Sequence, residues 1–219
     1  MDLLVSFDEN YLPQLRVLLV SLYQNDPGVR CRVHLLHRAI SQGQIDQLRE
    51  DVEKLGWELC PVTVDGRLFA NAPATKQYPQ EMYYRLLAGQ LLPKEVKRVL
   101  YLDPDILVIN PLTPLWEMDL HSSLFAAAAH TGKTELANNI NRVRLGTKGD
   151  YYNTGVLLMD LDHCRQEVDP QAIFRFTEEY RQDLVLPDQD VFNALYGDRV
   201  LPLDDVIWNY DARNYSNYL

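Results

Sequence analysis

The sequence predicts an α/β protein built on a mostly parallel sheet with helices covering both faces. Three observations predict it. Short apolar runs of strand length alternate with stretches of helical periodicity along the early part of the chain. Runs such as Val99–Leu102 are apolar throughout, as strands buried on both faces are. Carboxylates fall just after the apolar runs, at Asp8 and at Asp103 and Asp105, where ligands of open α/β sheets bind.

Each element has its own signal. LLVSF (Leu3 to Phe7) reads as a short strand. A helix over Leu12 to Gln24 puts Leu12, Leu15, Leu18, Leu19 and Leu22 on one face, with Pro13 in the first turn, where a missing N–H does little harm. CRVHLL (Cys31 to Leu36) reads as the second strand. Ser41 and Gln44 form a capping-box pattern, and Ile45, Leu48, Val52 and Leu55 continue at helical spacing. WELCPVTV (Trp57 to Val64) is a third strand, in which Pro61 indicates an edge or bulge. Residues 66–80 read as a loop, on Gly66, Pro73 and Pro79. YYRLLAGQLL is helix-like, and a strand leads into the paired aspartates. SLFAAAAH (Ser123 to His130) and GVLLMDL (Gly155 to Leu161) read as further strands. Residues 131–150, rich in Thr, Gly, Asn, Lys and Arg, read as a flexible excursion, and Asp188 to Leu195 as a short helix.

Composition sets limits. A chain of 219 residues that is 47% hydrophobic can bury a full core, and a single domain over 1–219 is expected. A net charge of −10 leaves no basic stripe for phosphates, which argues against a nucleic-acid partner. The opening MDLLVSFDENY has no basic segment before a long apolar one, so no signal peptide is expected. Leu15–Tyr23 carries Arg16 and is too short to span a bilayer. Cys31, Cys60 and Cys164 fit neither a disulfide frame nor a zinc pattern. Reduced thiols and a cytoplasmic location follow most simply.

YLDPDILVIN (101–110) carries the chemistry. Asp103 and Asp105 stand one residue apart in an otherwise apolar run, Val99–Leu102 leading in and Ile106–Ile109 leading out, which reads as a buried strand. A buried unpaired carboxylate is costly, and two together are worse. A hard divalent metal, Mg²⁺ or Mn²⁺, held by both would offset their repulsion and keep positions open for substrate phosphates. The competing reading is a plain Asp-Pro-Asp turn. The apolar runs on both sides weigh against it.

RVLYLDPDILVINPLTPLW resembles the signature of glycosyltransferase family 8, retaining enzymes of the GT-A fold. Four other blocks resemble the family in the same order: VSFDENYLPQLRVLLVSLYQNDP, EMYYRLLAGQLLP, YYNTGVLLMDLDHCR and LPDQDVFNAL. The match runs from about residue 3 to about residue 209. The resemblance implies that Asp103 and Asp105 hold Mn²⁺ or Mg²⁺ against the diphosphate of UDP-glucose or UDP-galactose. It implies that Ser6, Asp8, Asn10 and Tyr11 hold the nucleoside, with Asp8 accepting from the uracil N–H. It places Arg85 near the phosphates and sugar, and Asn153, Thr154 and Gly155 near the donor sugar. Asp188 and Gln189 then face that sugar as the catalytic pair, Gln189 near the anomeric carbon. Read from the residues alone, these positions are also open to plainer roles: a helix cap for Asp8 or Asp188, a snorkelling side chain for Arg85, a polar turn for Asn153–Gly155.

The sequence departs from the family in two places. Many members carry an acid where this chain has His130, which reads as a surface histidine or as a sugar or acceptor contact. The family's His-containing block ending in Lys-Pro-Trp is not found before Leu219, so a missing tail is expected, with weaker nucleotide binding and possible loss of a peripheral membrane contact at the inner face. The function implied is a metal-dependent transfer of hexose to a saccharide or glycolipid hydroxyl, as in lipopolysaccharide synthesis. A non-catalytic UDP-sugar-binding module is the alternative. A nucleotidyltransferase lacks the glycine-rich phosphate loop.

Overall fold

The computed structural model describes residues 1–65, 83–131 and 134–214, so the loop expected at 66–80 lies outside the described residues. Its centre is a seven-stranded sheet. The strands are β1 (Asp2–Ser6), β2 (Arg32–His37), β3 (Glu58–Thr63), β4 (Arg98–Leu102), β5 (Phe125–Ala128), β6 (Val156–Asp160) and β7 (Val200–Leu203). Their spatial order is β3-β2-β1-β4-β6-β5-β7. Only β6 runs antiparallel to its neighbours β4 and β5; the remaining pairs are parallel. The carboxyl ends of β1, β4, β5 and β7 therefore share one edge with the start of β6.

The side-chain period of two divides the core between the two faces. Leu3, Val5, Leu100 and Leu102 pack on one side, against Leu15, Leu18 and Leu22 of α1 (Leu12–Asn25) and Leu48 and Val52 of α2 (Gln42–Lys54). Leu4, Val99 and Tyr101 pack on the other, with Tyr83, Tyr84, Phe125 and Phe192. The capping box of α2 is present, with Ser41 and Gln44 bonded reciprocally. Pro61 sits on β3, which is an edge strand.

Three local expectations are corrected. YYRLLAGQLL makes only one α turn, α3 (Ala88–Leu91), after a run of tight turns. Tyr83, Tyr84, Leu86 and Leu87 are all buried, so the first half of the segment has no solvent face to give it helical periodicity. Residues Ile106–Ile109 are not a strand: Val108 is buried, while Leu107 and Ile109 are 62% and 66% exposed. Val108 N–H donates to Ser21 Oγ at 3.0 Å, and its carbonyl accepts from Asn25 Nδ2 at 3.0 Å, so α1 takes the hydrogen bonds a neighbouring strand would. The chain then turns into α4 (Thr113–Trp116), whose start is held by buried Asp26.

The excursion at 131–150 contains a helix, α5 (Glu135–Leu145), closed by Gly146 at φ 66°. None of its residues is buried, so its apolar residues Leu136, Ile140 and Val143 face outward and gave no core signal. The second half continues through α6 (Leu161–Glu167), α7 (Pro170–Glu179) and α8 (Pro187–Tyr196) to β7 and a final turn, α9 (Asp205–Trp208). No helix among the described residues is long and apolar enough to cross a membrane.

Candidate active site

The site lies at the carboxyl edge of β1 and β4. Asp103 follows β4 directly, and its N–H donates to the Gly155 carbonyl at 2.8 Å, extending the β4–β6 ladder by one step. Asp103, Pro104, Asp105 and Ile106 form a turn closed by Ile106 N–H to the Asp103 carbonyl at 3.2 Å. The Asp-Pro-Asp stretch is thus both a turn and a projection of carboxylates; the two readings are compatible. Asp105 is exposed, which corrects the expectation that both acids are buried.

Arg85 answers the remaining charge. Its Nη1 lies 2.9 Å from Asp103 Oδ1 and donates to the Thr154 carbonyl at 3.1 Å. Its Nε lies 3.4 Å from Asp188 Oδ2, an ion pair without hydrogen-bond geometry. The guanidinium carbon sits 4.5 Å from the centre of the Tyr101 ring, and the Tyr101 hydroxyl donates to Asp103 Oδ1 at 2.7 Å. Burial opposes charge on Arg85, but the adjacent Asp103, Tyr101 and Asp188 keep it protonated, its pKa raised above the ordinary value. Burial pushes the Asp188 carboxyl up from its ordinary range, and Arg85 works against that rise. Arg85 is therefore an internal counter-ion, not a solvated side chain.

The start of α8 supplies the opposite wall. Pro187 opens the helix, and Leu186, not Asp188, is its N-cap; the Asp188 carboxylate still meets the backbone N–H of Gln189 in the first turn. The Thr154 hydroxyl donates to Asp188 Oδ2 at 3.1 Å. Gln189 Oε1 accepts from Asn153 Nδ2 at 3.2 Å, and Asn153 Oδ1 accepts from Gly155 N–H at 2.8 Å. A Cβ on Gly155 would stand 2.8 Å from Asp103 Oδ2 and 2.9 Å from Asn153 Oδ1. Glycine here lets an acid and an amide close over the backbone.

Ser6 is buried at the end of β1. Asp8, Asn10 and Tyr11 follow it, all exposed, and Asp8 caps a short 3-10 turn by accepting from Asn10 N–H at 2.9 Å. His130 is half-buried. With Glu135, Asn138, Arg142 and Asp150 it lines a polar cavity of about 540 Å³ beneath α5.

Two carboxylates fit a divalent cation. Asp103 Oδ1 is taken by Tyr101 and Arg85, but its Oδ2 and the whole of Asp105 have no hydrogen-bond or ion-pair partner among the described residues. These are hard oxygen donors on a half-open edge, leaving room for water and phosphate. Among the described residues no group of three or more His, Cys, Asp or Glu converges as a metal centre.

Sequence reasoning passed over Tyr101, Asp190 and Asn209. Asp190 is fully buried and accepts from the Tyr151 hydroxyl at 2.6 Å and from Arg144 Nη2 at 2.7 Å, locking α8 to α5. Asn209 Nδ2 donates to Asn153 Oδ1 at 2.9 Å. Tyr101 was hidden as one apolar residue in an apolar strand, and nothing near Asn209 marks its contact.

Known proteins share this arrangement of elements. A crystal structure of the galactosyltransferase LgtC, in complex with donor and acceptor sugar analogues, superposes with a TM-score of 0.87 at 27% identity, covering 99% of this chain and 78% of that one. General stress protein A of Bacillus subtilis strain 168 is 28% identical over 196 residues, covering 88% of this chain and 68% of its own length. The lipopolysaccharide glucosyltransferase WaaO of Escherichia coli K12 is 25% identical over 211 residues, covering 93% of this chain and 61% of its own length. The chain thus spans about two thirds of these curated relatives. The family description "Glycosyl transferase family 8" matches residues 2–218, end to end across the sheet and the site just described, and the chain belongs to that family.

Proposed function

We propose that this chain transfers a hexose, glucose or galactose, from a UDP-sugar to a hydroxyl of a saccharide or glycolipid acceptor, with retention at the anomeric carbon. The observation that carries it is the convergence on Arg85 of residues from separate blocks: Asp103 after β4, Thr154 before β6 and Asp188 at the head of α8. LgtC, a galactosyltransferase, and WaaO, a lipopolysaccharide glucosyltransferase, support the same class.

Asp103 and Asp105 would hold the divalent cation, Mn²⁺ or Mg²⁺. When bound, that cation offsets negative charge on the departing diphosphate. Asp8 accepts from the uracil N–H, with Asn10 and Tyr11 beside the nucleoside. Asp188 binds sugar hydroxyls. Its burial favours a hydrogen-bonded role over that of a free nucleophile.

Gln189 is a poor nucleophile, and its oxygen already accepts from Asn153. Front-face exchange follows. The bond from the anomeric carbon to the phosphate oxygen breaks, a bond from that carbon to the acceptor oxygen forms on the same face, and the acceptor proton passes to the leaving phosphate.

Calorimetric screening of UDP-glucose, UDP-galactose and UDP, with and without Mn²⁺, tests the binding half. Slow hydrolysis of the bound UDP-sugar tests turnover. Binding without any hydrolysis or transfer would reduce the chain to a sugar-nucleotide-binding module.

A further inference from the structure

We propose that Asn209 is a positioning residue, which fixes the orientation of the Gln189 carboxamide through Asn153. The inference rests on the reading of Gln189 as facing the donor sugar, and adds what holds it there.

The chain of contacts has one unambiguous anchor. Gly155 N–H is a backbone donor, so the Asn153 side-chain atom 2.8 Å from it is the oxygen. That same oxygen receives Asn209 Nδ2 at 2.9 Å. With Oδ1 held by two donors, Asn153 Nδ2 is turned to the other side, where Gln189 lies at 3.2 Å. Gln189 must meet an N–H with its own oxygen. Its Nε2 is then the donor side; Tyr151 takes part of that capacity, and the N–H that remains, not a nucleophilic oxygen, is what Gln189 presents to the substrate. Without Asn209, Gly155 N–H is the one donor left on Asn153 Oδ1, and the Asn153 amide gains freedom to turn against Gln189, which keeps its contact with Tyr151.

The segment carrying Asn209 is built to hold position. Asn209 caps α9, its N–H bonded to the Asp205 carbonyl at 3.2 Å. The Asp205 carboxylate receives both Thr131 N–H, at 2.8 Å, and the Thr131 hydroxyl. Asp211, two residues beyond, accepts from the Thr134 hydroxyl at 2.6 Å. The last described stretch is thus stapled on either side of Asn209, to Thr131 after β5 and to Thr134 at the start of α5.

The test compares Asn209→Ala with Asn209→Asp. In Asn209→Ala, kcat for UDP-hexose turnover falls about tenfold, the rate equivalent of one net hydrogen bond, at every pH, while donor KM stays within about twofold. In Asn209→Asp, the ionised carboxyl repels Asn153 Oδ1, whereas the protonated carboxyl donates to it. Its activity relative to the parent therefore recovers as pH falls through the titration of the new group, and the Ala variant shows no such recovery. A readout independent of turnover is the Asn153 side-chain NH₂ pair in ¹⁵N-labelled protein, assigned by its loss in Asn153→Asp. It shifts in Asn209→Ala and moves with pH in Asn209→Asp. If the parent fails to turn over UDP-hexoses but these signals move, the transferase reading has failed and the relay stands. Unchanged Asn153 signals, or a kcat within about twofold of the parent in both variants, overturn the relay. Equal losses in both variants at all pH values, tracking lowered thermal stability, also overturn it.

Discussion

Replacing Arg85 by Met removes a buried cation and keeps most of the side chain's volume. Asp103 is left with 31% of its side chain in contact with solvent and can be hydrated. Asp188, with 11% exposed, cannot, and retains only the Thr154 hydroxyl and nearby backbone. Removing one partner of a buried ion pair costs about 3–5 kcal/mol, and partial hydration of Asp103 puts this case near the lower end, about 3 kcal/mol. For a chain of this size that lowers Tm by about 6–12 °C.

The pH dependence has a definite sign. The Asp188 pKa is raised by burial and restrained by Arg85, so removing Arg85 raises it further. A carboxyl with a folded pKa above its unfolded value contributes stability that is complete at low pH and lost as pH rises through the folded value. The deficit of Arg85→Met relative to the parent is therefore full above the new Asp188 pKa and shrinks in acid. Urea denaturation at about pH 7.5 and about pH 5 measures it, and Arg85→Met combined with Asp188→Asn should recover much of the loss at the higher pH. A deficit below about 1 kcal/mol, or one equal at both pH values, would refute the counter-ion argument.

Other predictions follow from the same geometry. Asp105→Asn leaves the fold intact, since Asp105 has no partner among the described residues, and removes most of the Mn²⁺-dependent gain in UDP affinity; calorimetry showing parental Mn²⁺ and UDP binding would dismiss the metal assignment. UDP binds more tightly than CDP by about 1–3 kcal/mol under Mn²⁺, because Asp8 accepts from uracil N3–H and meets a second acceptor in cytosine; equal affinities remove Asp8 from the site. Gly155→Ala puts a methyl 2.8 Å from Asp103 Oδ2 and loses about 1–3 kcal/mol of stability together with Mn²⁺-dependent nucleotide affinity; a variant that binds and melts like the parent contradicts the close packing described.

Much of the fold was legible because its signals are local. Leu12, Leu15, Leu18, Leu19 and Leu22 are all buried on α1, and the Ser41–Gln44 box closes as its spacing requires. Misreadings came where burial and periodicity part company. The turns around Arg85 are buried on all sides, and α5 is buried on none. The site was legible as a set of positions, not as contacts. Resemblance named Arg85, Asn153 and Gln189, but only the structure shows Arg85 between two acids and Gln189 turned by Asn153. Asp190 and Asn209 act through partners distant in sequence, which no spacing rule reaches, and Tyr101 bonds Asp103 two residues on but was masked by its apolar strand.

The electrostatics of this edge also bear on why a donor diphosphate needs help to bind. Asp103 follows β4 and Asp8 follows neighbouring β1, with Asp105 and Asp188 close to the same edge. Arg85 is the cation placed between Asp103 and Asp188, and both acids already draw on it. A diphosphate approaching Asp103 and Asp105 meets a surplus of negative charge, and the charge of Arg85 is already shared between two acids. On the proposed reading the free Oδ2 of Asp103 and the exposed Asp105 make sense as ligands of a further cation, which supplies the positive charge that Arg85 has committed inward. The nucleoside, carrying no charge, makes no such demand. Uridine should therefore bind independently of Mn²⁺, whereas UDP should not. A UDP affinity unaffected by Mn²⁺ would mean that no further cation is needed at this edge, and the charge argument would fall.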